Sequence, residues 1–244
     1  MVTNMWPRDG DARYGIFVKR QVDSLIEEGL RCDVLFIRGY RSPLAYVLAA
    51  LTLFAWNWIP GRRYALVHCH GGETALPARF YLRAPVLASY MGTDLLGKPR
   101  AEGTVPLRHR LRRWLVRRHA RFLTATVTMS KEMDGVLPSR ARASNTVIPQ
   151  GVDPSAFRPV ARDEARRTLG WNESERVALF VADPAVERKR YWLAEAGCEL
   201  AKEQIEDLQL RVAANVPPDE VPIRMSAADC LLLTSTYELS LIHI

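Results

Sequence analysis

The stretch ALVHCHGGETALPARFYLRAPVLASYMGTDLLG, residues 65–97, decides the fold. Two short apolar runs, ALVHCH (65–70) and APVLASYM (84–91), flank a helical pattern, ETALPARFYL (73–82), and each run empties into a glycine-bearing loop. A helix between two strands leaves no tight turn to reverse the chain, so the strands are parallel. Strands apolar on both faces belong inside a sheet covered by helices on both sides.

The alternation extends outward. CDVLFI (32–37), LTATVTMS (123–130) and NTVIP (145–149) read as further strands, and MVTNMWP (1–7) as the tail of a first strand that is clipped or shortened. GIFVKRQVDSLIEEG (15–29), SPLAYVLAALTLFAWN (42–57) and PLRHRLRRWLVRRHARF (106–122) read as helices. This is α/β, a doubly wound unit. GVDPSAFRPVARDE (151–164) then interrupts with prolines and a helix N-cap signal at Asp163, as a linker would. Beyond it the alternation restarts with RVALFVAD (176–183), RYWLAEAGCELAKEQ (190–204), LQLRVAAN (208–215), PIRMSAAD (222–229) and CLLLTS (230–235). The expected organisation is a Rossmann-like domain over 1–155 and a second over 156–238, facing each other across a ligand cleft. The second is short of the roughly 100–200 residues of a domain and reads as incomplete.

Composition is that of a folded chain, 48% hydrophobic and 25% charged, which argues against disorder. Cys32, Cys69, Cys198 and Cys230 share no short spacing, so neither a zinc site nor a C-x-x-C redox pair is encoded, and such thiols suit a reducing cytosol. The opening residues turn polar at once and do not make a signal peptide. Charge is uneven: residues 1–155 hold 23 Lys and Arg against 12 Asp and Glu, a net +11, and residues 156–244 hold 11 against 15, a net −4. The first half therefore faces something anionic.

Several residues have both a chemical and a structural reading. Gly15 sits between first strand and first helix, where glycine admits a ligand or simply makes a turn. His68 and His70 share one strand face, and one of them at the strand end either bonds a substrate or serves as a satisfied core histidine. Asp94 either accepts sugar hydroxyls or caps the next turn, with capping favoured on the local pattern. The helix at 107–122 carries seven arginines; Arg110, Arg113, Arg117 and Arg121 form a stripe beside a separate face of Leu107, Leu111, Trp114, Leu115 and Phe122. An anionic membrane surface fits the stripe better than nucleic acid, with a solvated face as the alternative. PLAYVLAALTLFAWNWIP (43–60) is too short to span a bilayer and is expected to be buried on the sheet, with interfacial contact through Trp56 and Trp58 as the minority reading. Arg188, Lys189 and Arg190 follow the first strand of the second unit, placed for a diphosphate or as an exposed basic turn. Ser235, Thr236 and Glu238 end its third strand.

Together these stretches resemble the family 4 glycosyltransferases of the two-domain GT-B architecture, and most of all the branch assigned to teichuronic-acid and exopolysaccharide synthesis. The resemblance rests on YGIFVKRQVDSL, CDVLFIRGYRS, VHCHGG, SYMGTDLLG, VTMSKEM, VIPQGVDPSAFRP, EARRTLGW, VALFVADPAVERKR and MSAADCLLLTSTYE, in that order over residues 2–238. It implies transfer of a hexosyl-type sugar from a nucleotide-sugar to a lipid-linked or glycan acceptor, with retention, and with neither metal nor cofactor. It also implies a cytoplasmic protein, peripheral on the inner face of the membrane, with no nucleic-acid partner.

By the same resemblance, Gly15, Arg188, Lys189 and Glu238 serve the donor, and His70 and Asp94 lie on the acceptor side. Lys189 neutralises the diphosphate, and Glu238 is the first of two donor-holding glutamates. The chain departs from the pattern at four places: Met91 stands where a histidine is common, leaving the catalytic residue unassigned; Gln150 replaces an asparagine; Ala182-Asp183 replaces Gly-Arg; and Glu238 is followed by LSLIHI (239–244). Those six residues match a translated sequencing-adapter end. The family-like chain is expected to stop at Glu238 and to be inactive alone. A sugar-nucleotide epimerase of the same architecture and a non-catalytic membrane-associated glycan-binding module are the competing readings.

Overall fold

The computed structural model describes residues 1–8, 14–97, 106–217, 219–236 and 238; the adapter-like segment 239–244 lies outside them. The chain divides into two compact units, one over residues 1–150 and the other over 151–238.

The first unit runs β1 (Val2–Thr3), α1 (Ile16–Glu27), β2 (Leu35–Phe36), α2 (Leu44–Trp56), β3 (Val67–His70), α3 (Gly72–Ala78), β4 (Val86–Ser89), α4 (Leu107–Ala120), β5 (Ala125–Thr128), α5 (Lys131–Gly135), α6 (Ser139–Arg142) and β6 (Asn145–Val147). Its six strands are all parallel in the order β2-β1-β3-β4-β5-β6. Register is tight at the centre, with Cys69 opposite both Val2 and Ala88, and His70 opposite both Thr3 and Ser89. All four β3 residues are buried, as the inner strand of a sheet covered on both faces requires. Right-handed crossovers from this order put α1 on one face and α2, α3 and α4 together on the other.

Glycine decides two close packings. Gly15 caps α1 in the left-handed region at φ 68°, and a Cβ there would lie 2.3 Å from the Met5 carbonyl carbon and 2.4 Å from Trp6 N. At Gly72 a Cβ would fall 2.2 Å from Val116 Cγ1 and 2.7 Å from the Tyr90 ring, so α3 sits hard against β4 and α4 only because that side chain is missing.

One expectation fails in this unit. Residues 42–57 are not a helix buried on the sheet: α2 buries Ala49 and Leu53 but turns Leu44, Val47, Leu48, Leu51 and Phe54 to the outside. Its apolar residues run all round the helix, and only one side of it meets the sheet. Helix α4 is seated by the small residues Val116 and Ala120, while Leu107, Leu111, Trp114 and Leu115 are exposed.

The second unit runs α7 (Arg162–Leu169), β7 (Arg176–Phe180), a 3-10 turn (Glu187–Lys189), α8 (Tyr191–Lys202), β8 (Leu208–Val212), α9 (Val221–Ala227) and β9 (Cys230–Leu231). Its strands are parallel in the order β8-β7-β9. Alternation along β7 builds two cores: Val177 and Leu179 pack with Ala165, Trp171, Ala213 and Ala227, while Ala178 packs with Cys198 and Leu208 on the other face. Arg166 is buried in this unit, donating to Ala227 O at 2.9 Å, Glu173 O at 2.7 Å and Asp229 Oδ2 at 2.6 Å. Asp163 is not the N-cap of α7. Ala161 occupies that position without a side-chain bond, and Asp163 lies in the first turn, where its charge suits the helix dipole.

Candidate active site

In the second unit, chemistry gathers beyond the carboxyl ends of β7 and β9. The chain leaves β7, makes the 3-10 turn and enters α8 through Arg190, a non-glycine residue at φ 48°, ψ 53°. That strained turn is held from the other strand: Arg190 Nε donates to Thr234 O at 2.7 Å, and Thr234 Oγ1 donates to Lys189 O at 2.8 Å and Arg190 O at 3.0 Å. Thr236 N donates to Arg188 O at 3.0 Å. The sequence 234–236 therefore fixes where the 188–190 cations stand.

Glu238 closes the cluster. Its Oε1 accepts from Lys189 Nζ in a short ion pair, from Ser235 Oγ at 2.6 Å and from Arg188 Nη1 at 3.3 Å. Partial burial pushes the Glu238 carboxyl up, but the bonds from Lys189 and Ser235 and the charges of Lys189 and Arg188 outweigh it and hold the group below its ordinary range. Of the residues assigned to the donor, Arg188, Lys189 and Glu238 are thus brought together. Gly15, in the first unit, is packed on the Met5–Trp6 backbone.

In the first unit the carboxyl edge of the sheet holds a second polar cluster. Asp94 is 7% exposed and accepts from Gly72 N at 2.7 Å, Leu95 N at 3.0 Å and Met91 N at 3.2 Å. Burial lifts its pKa above the ordinary value despite these amides. Asp94 is thereby a clasp between the β3 and β4 loops. Met91, at the position where the histidine is common, presents its backbone amide to that clasp.

Beside it is a set of groups that sequence reasoning missed. Asn4 Nδ2 donates to the Tyr46 hydroxyl at 2.9 Å, Tyr46 donates to Glu73 Oε2 at 3.3 Å, and Glu73 Oε1 pairs with Arg112 at 2.5 Å. Burial raises Tyr46 to about 12 and also raises Glu73, against the pull of Arg112. Glu73 stood in view at the end of VHCHGGE, but Tyr46 lies on α2, Arg112 on α4 and Asn4 just past β1, and no local spacing connects them.

His70 is fully buried between the sheet and α1, with Nε2 2.7 Å from Gln21 Oε1. An amide oxygen only accepts, so Nε2 carries the proton and Nδ1, which has no partner, is a lone pair. His68 stacks on it with centroids 4.5 Å apart and meets Ser89 Oγ at 2.7 Å.

The arginine stripe on α4 is not uniform. Arg110 is exposed. Arg113 donates to Leu96 O at 2.9 Å, Arg117 Nε to Leu95 O at 2.9 Å, and Arg121 lies over the Phe122 ring at 4.5 Å. Arg113 and Arg117 thus tie α4 to the loop after β4. Among the described residues no group of three His, Cys, Asp or Glu side chains could hold a metal ion.

The family model described as Glycosyltransferase Family 4 matches residues 23–156, more than half of the chain. The chain belongs to glycosyltransferase family 4. Among solved structures it is similar to a sucrose-phosphate synthase from Thermosynechococcus elongatus, at 14% identity and a TM-score of 0.62, over 85% of this chain and 61% of that one. It is also similar to Anabaena HepE in complex with UDP, at 15% identity and a TM-score of 0.52, over 89% of this chain and 64% of that one. The HepE complex with UDP-glucose matches with a TM-score of 0.53. These likenesses place the fold among GT-B glycosyltransferases. The family 4 chain spans less than two thirds of the length of these structures. No curated protein sequence matches it.

Proposed function

We propose that this chain is part of a retaining, metal-independent glycosyltransferase that moves a hexosyl group from a nucleotide-sugar to an acceptor hydroxyl in cell-envelope or exopolysaccharide synthesis. The observation that carries this reading is the convergence of Lys189, Arg188 and Glu238 beyond β7 and β9. Departure of a nucleoside diphosphate builds negative charge on its phosphates. Cations already in place there stabilise the transition state more than the ground state. Lys189 and Arg188 supply that charge, and Glu238 turns to the sugar hydroxyls. A donor phosphate oxygen takes the acceptor proton, so the scheme needs no protein base and is consistent with Met91 in place of a histidine. The UDP and UDP-glucose bound to HepE make a uridine donor the first to test.

The acceptor is lipid-linked or a glycan and meets the first unit, with Asp94 holding the loops that form its edge. Arg110, with the exposed Arg108 and Arg118 beside it, faces an anionic membrane surface. The protein works at the inner face of the membrane. Among the described residues no helix is long and apolar enough to cross a membrane.

The test is isothermal titration with UDP-, ADP- and GDP-sugars, on residues 1–244 and on a version extended to the length of the matched structures, each with its Lys189→Ala variant. Donor binding that depends on Lys189, with transfer only when an acceptor is present, supports the proposal. Epimerisation of the donor without an acceptor favours the epimerase reading. Glycan binding with no nucleotide binding favours the non-catalytic module.

A further inference from the structure

The outward face of α2 is an apolar feature that neither the sheet nor the proposed chemistry uses. Leu44, Leu48 and Leu51 on the helix and Trp58 just past it are 61–67% exposed, and Val47, Phe54 and Ile59 are exposed with them. Steps of three and four residues place Leu44, Val47, Leu48, Leu51 and Phe54 in one stripe. Phe54 and Trp58 meet edge to face, with centroids 4.6 Å apart, and end the stripe in an aromatic pair.

Charge frames it. Arg38 and Arg41 precede the helix and Arg62 and Arg63 follow it, while residues 34–72 contain no Asp or Glu at all. Arg38, Arg41 and Arg63 are exposed. Arg62 lies over the Trp56 ring at 4.7 Å and pairs with Asp33 at 3.2 Å.

We infer that α2 is an in-plane membrane anchor. Its stripe, from Leu44 to Trp58, sinks into the headgroup–acyl boundary of an anionic lipid surface while the arginines at both ends engage the headgroups. A helix of 13 residues is about 20 Å long and cannot cross a hydrocarbon core of about 30 Å, so it lies along the surface. Aliphatic side chains on one face, an aromatic pair at one end and cations at both ends are what such a position selects. A second copy of this chain fits poorly. Two stripes packed about a two-fold axis would set the Arg38–Arg41 end of one against the Arg62–Arg63 end of the other, with no acidic residue in 34–72 to pair them. This anchor goes beyond the electrostatic contact proposed for α4 and does not depend on donor chemistry. The two helices both pack on α3, in one layer, so one surface can take both.

The experiment is co-sedimentation of residues 1–244 with phosphatidylcholine vesicles, with and without phosphatidylglycerol, together with quenching of tryptophan fluorescence by brominated lipid. The variants are Leu48→Glu/Leu51→Glu, Trp58→Phe and, on α4, Arg110→Glu/Arg118→Glu. All five positions are exposed, and circular dichroism checks that each variant stays folded. The expected result is binding to the anionic vesicles that the leucine variant weakens about tenfold or more, and quenching that Trp58→Phe largely removes. Some binding persists at about 1 M salt, where the Debye length is about 3 Å and headgroup attraction alone is screened out. Three outcomes overturn the anchor: undiminished binding by the leucine variant, binding lost only in the α4 variant, or a wild-type dimer that the leucine variant turns to monomer with no lipid dependence.

Discussion

Lys189 and Glu238, 49 residues apart in sequence, form an ion pair beyond the ends of β7 and β9, with Ser235 and Arg188 on the same carboxylate oxygen. The cation proposed for the donor diphosphate is therefore already neutralised by the chain itself, and an incoming phosphate competes with Glu238 for it. Glu238→Gln removes the competing charge and is expected to tighten binding of a nucleoside diphosphate several-fold. Lys189→Ala removes a charge-assisted contact and is expected to weaken it about tenfold or more. Titration calorimetry with UDP reads both. An unchanged dissociation constant in Lys189→Ala takes that residue out of the donor site, and weaker binding in Glu238→Gln means that Glu238 holds the nucleotide rather than competing with it.

Gly15 and Gly29 both have positive φ, at 68° and 84°, but differ in what a side chain would meet. At Gly29 nothing lies within 4 Å, so Gly29→Ala costs only left-handed backbone strain, about 1 kcal/mol. At Gly15 the new Cβ would overlap Met5 and Trp6 backbone, which cannot rotate away, and Gly15→Ala is expected to cost about 3 kcal/mol or more. Urea denaturation of the two variants measures the difference. Equal losses would mean that the close packing of α1 on the exit of β1 is not what Gly15 provides.

How much of this was legible in the sequence depended on whether a feature is local. The βαβ rhythm around VHCH and VLAS is written in consecutive residues, and the six parallel strands follow it. The neighbourhood of Lys189 was visible as a basic cluster after a strand. The surroundings of α2 were not, because a helix that is apolar all round reads as buried when the amount of sheet available to cover it is unknown. The Asn4–Tyr46–Glu73–Arg112 chain was hidden for a related reason: its members come from three helices and the exit of β1, and only the assembled sheet makes them neighbours. Arg113 and Arg117 looked like two charges of a stripe because helical spacing says where a side chain starts and not which carbonyl it reaches.

His68 and His70 make the first unit sensitive to acid. Burial holds both neutral, with pKa values lowered to about 4 and about 3 from an ordinary 6.5. In the unfolded chain both take up protons below 6.5, so the stability they secure is complete above that pH and is lost as pH falls from 6.5 towards 4, by up to about 1.4 kcal/mol per pH unit for each histidine. The buried carboxyls of Glu73 and Asp94, raised instead, act in the opposite sense. His70→Gln keeps a donor for Gln21 and cannot titrate. It is expected to flatten the fall in Tm between pH 6.5 and 5, and a fall as steep as that of the wild type would show that His70 is not held neutral.

Asp94 separates a structural carboxylate from a substrate-binding one. Its two oxygens take the amides of Gly72, Met91 and Leu95, and its burial leaves those amides no water to turn to. Asp94→Ala strands them and is expected to cost about 2–4 kcal/mol, since each buried donor left unmade costs about 1–3 kcal/mol and the loops relax in part. Asp94→Asn keeps one acceptor oxygen and replaces the other with a donor facing donors, so an intermediate loss is expected, read as a lower Tm. Acceptor-dependent turnover in a full-length enzyme should fall in step with that loss of structure and recover on cooling. A variant as stable as the wild type whose Michaelis constant for the acceptor rises would instead place the carboxylate on the acceptor sugar, and the clasp between the two loops would then be secondary.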